Sequence, residues 1–112
     1  LWLIDHGACL YFHHSWTDWE GHAKSPFALI KDHVLLSQAS LLDHADAELK
    51  SILTDDVLKR ITDLIPDTWL HWEETNQTPE QLREVYFGFL KTRRDNSEIF
   101  LKQAQDAREA TI

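Results

Sequence analysis

A mainly α-helical fold opened by one short β-strand is what the 112-residue sequence predicts, and three features carry that prediction. Apolar residues recur at helical spacing through most of the chain after Pro26. Glycine and proline are sparse, three of each, so few breaks interrupt those stretches. The one apolar run without helical period, Leu1-Trp2-Leu3-Ile4, is short and stops at Asp5 and Gly7, as a buried strand does. A hydrophobic fraction of 43% and a charged fraction of 27% belong to an ordered globule. The length suits a single domain over residues 1–112. Residues 1–25 form its strand and loop part, and residues 26–112 its helical scaffold.

After the strand, residues 8–19 are rich in aromatic side chains and histidine without clear period, which predicts an ordered loop with a short turn. Gly7, Gly21 and Pro26 mark irregular backbone in this first quarter. Leu41, Leu42, Ala45, Leu49, Ile52 and Leu53 then fall on one helical face, predicting a helix over residues 40–53. Thr54 reads as the N-cap of the next, with Asp55 and Asp56 where the helix dipole favours negative charge. Val57, Leu58, Ile61, Leu64 and Ile65 give its apolar stripe, and Pro66 stops it.

Thr78-Pro79-Glu80-Gln81 is the clearest helix start. Thr78 can accept from first-turn amides, Pro79 suits the first helical position, and Gln81 completes a capping box. Leu82, Val85, Tyr86, Phe89 and Leu90 form one face of this helix, which runs to about Arg94. Asn96 is read as the cap of a last helix carrying Ile99, Phe100, Ala104 and Ala107. The total is four or five helices.

Composition also excludes partners. A net charge of −8 argues against a phosphate-backbone ligand. No apolar stretch approaches the ~20 residues of a membrane helix, so a cytoplasmic location is expected and a membrane partner is not. The lone Cys9 excludes a disulfide framework or a multi-cysteine zinc site. The sequence contains no Met and opens inside an apolar run, so a processed or excised piece of a longer protein is expected.

The pattern with most chemistry in it is Leu3-Ile4-Asp5-His6-Gly7. A strand ending in Asp and then Gly presents a carboxylate at a sheet edge, where the glycine lets the backbone turn. Such a carboxylate is a hard oxygen ligand suited to Mg²⁺. Read on through Ala8-Cys9-Leu10-Tyr11-Phe12-His13-His14-Ser15-Trp16, the first sixteen residues resemble the C-terminal part of HipA-like kinases. Lys31-Asp32-His33-Val34-Leu35-Leu36, Leu64-Ile65-Pro66-Asp67-Thr68-Trp69-Leu70 and Leu82-Arg83-Glu84-Val85-Tyr86 are similar to the same family in the same order.

The resemblance implies the C-terminal lobe of a protein-kinase-like fold and an activity in which Mg²⁺ and ATP serve phosphoryl transfer, to a protein hydroxyl. It implies Asp5 as the metal ligand, with His6 and Gly7 on the floor of the nucleotide site. The phosphate-binding Lys and the catalytic loop of such a kinase precede the Asp-His-Gly strand, where this sequence has four residues. The chain alone is therefore expected to be inactive, to hold neither Mg²⁺ nor ATP, and to work with an upstream part of the same protein. Without a hairpin partner, the strand at residues 1–4 is expected to pair with a second copy of the chain, to be covered by the helices, or to fray.

The remaining candidates have simpler explanations. Cys9, His13 and His14 offer no paired-ligand spacing for zinc. The two histidines are read as hydrogen-bonding within the aromatic loop or sitting near the nucleotide end of the site. Ser15 beside His14 lacks a nucleophile-elbow context. The five tryptophans are assigned to packing. Lys91, Arg93 and Arg94 are assigned to the C-terminal dipole of their own helix. Asp55-Asp56 and Glu73-Glu74 are read as solvated faces and first-turn residues. The rival to the kinase reading is a non-catalytic helical interaction module.

Overall fold

The computed structural model describes residues 10, 18–71 and 76–111. The strand expected at residues 1–4 and the motif Asp5, His6 and Gly7 lie outside the described residues, as do His13, His14 and Ser15. The described residues are mainly α-helical. Five α-helices run in order: α1 Trp19–Ala23, α2 Leu42–Ile52, α3 Asp55–Asp63, α4 Pro79–Asp95 and α5 Glu98–Thr111. Short 3₁₀ turns cover Ala28–Asp32, Leu36–Gln38 and Asp67–Leu70.

Local side-chain signals place the starts of α3 and α4 and the end of α4. Thr54 Oγ1 accepts from Val57 N at 3.2 Å and opens α3. At α4 the capping box is complete: Gln81 N donates to Thr78 Oγ1, and Thr78 N donates to Gln81 Oε1. Asn96 behaves differently from its expected role. It closes α4, with its side-chain amide donating to Thr92 O at 2.8 Å, and α5 begins beyond it at Glu98. Asn serves both ends of helices, since its short amide reaches local donors and carbonyls alike.

The α1 helix forms around Gly21, inside a stretch expected to be irregular. Asp18 caps it from a left-handed backbone conformation, φ 56°, which Asp tolerates better than most residues. Its carboxylate folds back to accept from Gly21 N, and a Cβ on Gly21 would lie 2.4 Å from that carboxylate. Glycine here is room for the cap.

Helix α4 is the hub. It packs against α1 on one side and α3 on another, while α5 lies on α2 and the first two 3₁₀ turns. Leu82 and Phe89 of α4 are fully buried, together with Leu58 of α3, Leu70 and Ala23. Trp19 and Leu10 pack against the Ala23–Phe89 pair. The chain is nevertheless elongated, 49 × 29 × 27 Å with a radius of gyration of 15.9 Å, where a compact domain of about 100 residues has about 13 Å. An elongated small chain has much surface for its volume, and large apolar side chains stay on it: Val34 is 89% exposed, Leu64 81% and Trp69 75%. The packing role expected of the tryptophans therefore holds for Trp19 and fails for Trp69.

Gly88 explains how α1 comes so close to α4. A Cβ there would sit 2.7 Å from the tip of the Trp19 ring. Glycine inside a helix costs about 1 kcal/mol relative to alanine, and the ring contact offsets it. Gly88→Ala is expected to destabilise the fold by about 1–2 kcal/mol, the overpacking penalty exceeding the gain in helix propensity. Thermal melting checks the sign: a raised Tm would mean that Trp19 moves aside at no cost.

Candidate functional site

An apolar groove of about 400 Å³ lies between α3, the Asp67–Leu70 turn and α4. Ile61 and Ile65 form one wall, Tyr86 and Leu90 the other, with Leu70 and the exposed Trp69 at one end. Leu10 also lines it. The walls follow from sequence: Ile61 belongs to the apolar stripe of α3, and Tyr86 and Leu90 stand four apart on one face of α4. Burial pushes the Tyr86 phenol up from its usual range. It is a neutral side chain across the physiological range.

Arg83 fixes the groove's shape. Only 13% of its side chain is exposed, and its Nε and Nη2 both donate to Ile65 O, at 3.2 and 2.6 Å. Its Nη2 also meets the Asp67 carboxylate. Ile65 O lies two residues past Asp63, the last residue of α3, just before Pro66, which stops the helix. The guanidinium caps α3 from outside and holds it to α4 and the turn. No periodicity points to Arg83; the signal is a C-terminal carbonyl before a proline, whose partner lies 18 residues away.

Two further arginines of α4 do the same for other helices. Arg94 Nη1 donates to Leu53 O at the end of α2 at 2.7 Å, and Nη2 to Asp55 Oδ1 at the start of α3 at 2.6 Å. Arg93 Nη1 donates to Ala23 O, at 3.3 Å, and to Ser25 O, past the end of α1. Its guanidinium also stacks 4.4 Å from the Phe100 ring centroid. Arg93 and Arg94 lie in the last turn of α4, as the dipole reading expects, and their guanidiniums also serve the carbonyl ends of α1 and α2, because a long side chain near one helix end reaches across to its neighbours.

Acidic partners are placed around these cations. Hydrogen bonds from Lys91 and Arg94 hold the Asp55 carboxyl below its usual range. Lys59 bridges Glu84 of α4 and Asp63 of α3, which raises the Lys59 ammonium. Asp55 and Lys59 are both exposed, and solvent screens pairs of that kind. Asp56 belongs to a solvent-facing pair with Arg60 at 3.6 Å, consistent with its reading as a solvated first-turn residue.

Among the described residues, no group of three or more His, Cys, Asp or Glu side chains is placed to hold a metal ion, and no helix is long and apolar enough to cross a membrane. What the arrangement offers chemically is apolar binding surface on a rigidly tied helical frame. Of the segments read in the sequence as similar to HipA-like kinases, three contribute side chains to this groove: Leu10 from the first, Ile65, Trp69 and Leu70 from residues 64–70, and Tyr86 from residues 82–86. Arg83 joins the last two directly. The fourth, at residues 31–36, spans the end of the Ala28–Asp32 turn and carries a local bond in which Leu35 N donates to His33 Nδ1. No protein-family model, no characterised protein and no solved structure matches the chain.

Proposed function

We propose that the chain is the C-terminal helical segment of a HipA-like kinase, in which Asp5 binds Mg²⁺ and His6 and Gly7 line the floor of the ATP site. The observation that carries this reading is the convergence of three resembling segments on the α3–α4 groove. Leu10, three residues past Gly7, packs on the buried Ala23–Phe89 pair. A metal ligand five residues upstream of Leu10 would call for an anchor of this kind on the hub helix. Bound Mg²⁺ would neutralise charge on the phosphates of ATP during transfer to a protein hydroxyl. The phosphate-binding Lys and catalytic loop would come from an upstream part of the same protein.

In the full-length protein, Asp5→Ala is expected to abolish phosphoryl transfer while leaving the circular-dichroism spectrum and Tm unchanged. Radiolabelled phosphate transfer checks it, and retained activity would remove Asp5 from the metal site.

One observation favours a second reading, that of a non-catalytic helical interaction module. The apolar groove lined by Ile61, Ile65, Tyr86 and Leu90 has the 75% exposed Trp69 at its end, an apolar surface of the kind a docking partner covers. That reading expects the 112 residues alone to bind their partner as tightly as the full-length protein does, and it expects no loss of activity on changing Asp5.

A further inference from the structure

We draw no further inference here: the strongest candidate, the exposed apolar stripe of Leu41, Ala45, Leu49 and Ile52 along α2, carries nothing because nothing in the structure shows what covers it.

Discussion

Phe89→Ala is expected to destabilise the protein by about 3–5 kcal/mol, the cost of deleting a buried aromatic ring and leaving a cavity. Phe89 is 2% exposed and pairs with Ala23, and Leu10, Trp19, Tyr86 and Leu90 pack around the pair. Few side chains in this elongated chain are so enclosed, and the ring is where α1 meets α4. A domain of this size has a total stability of about 5–15 kcal/mol, so the variant forfeits a large share of it. Leu82→Ala, at a fully buried position two turns earlier on the same face of α4, should cost about 2–5 kcal/mol by the same mechanism. The two differ in what they release. Loss of Phe89 removes the packing surface of α1 and Leu10, so under the proposed kinase reading phosphoryl transfer by the full-length protein should fall before global unfolding does. Urea melts followed by Trp fluorescence, alongside activity, separate the two. Equal loss of activity and of structure in both variants would show that Leu10 has no special part in holding the motif.

What the sequence made legible follows from the range of each interaction. Thr54 and Thr78 cap helices through residues three positions away, and a reader of the chain sees donor and acceptor together. The apolar stripes of α3 and α4 are equally local, because their period is a property of one helix. The short α1 helix was hidden because Gly21 reads as a breaker, and its role depends on where the Asp18 carboxylate folds. Asn96 was assigned to the wrong helix because its side chain suits either end, and only the bond to Thr92 O decides. The arginine ties were out of reach altogether: Arg83, Arg93 and Arg94 meet carbonyls 18, 70 and 41 residues away, and nothing in periodicity encodes such partners. Trp69 illustrates the converse. Its size argued for the core, but a chain this extended has too little interior to hold every large ring. The site reading rests on a contiguous motif at Asp5, His6 and Gly7, which is sequence information by nature. The groove that gathers the other resembling segments is a tertiary property.

The second large effect expected is at Arg94, and its pH dependence separates two contributions. The side chain is 15% exposed and ties the end of α2 to the start of α3 through Leu53 O and Asp55. Arg94→Met keeps the aliphatic stem and removes the charged donors. It should cost about 2 kcal/mol, in line with loss of a charged hydrogen bond to a part-buried carbonyl. For a domain near 100 residues that lowers Tm by roughly 8–16 °C. Lys91→Met removes only the more exposed pairing with Asp55 at 2.9 Å and should cost less than half as much. Asp55 then reports on the rest. Its carboxyl is held down in the folded state by Lys91 and Arg94, so its contribution to stability is complete above the unfolded carboxyl range, about pH 4, and is lost as pH falls through the lower folded value. In Arg94→Met the carboxyl is depressed less, and stability falls less steeply with acid. The Tm gap between wild type and variant should therefore narrow below about pH 4 without closing, because the bond to Leu53 O does not titrate. Parallel curves down to pH 2 would assign the whole effect to that carbonyl. A gap that closed completely would assign it to Asp55, and the effective tie would then be an electrostatic one between α3 and α4.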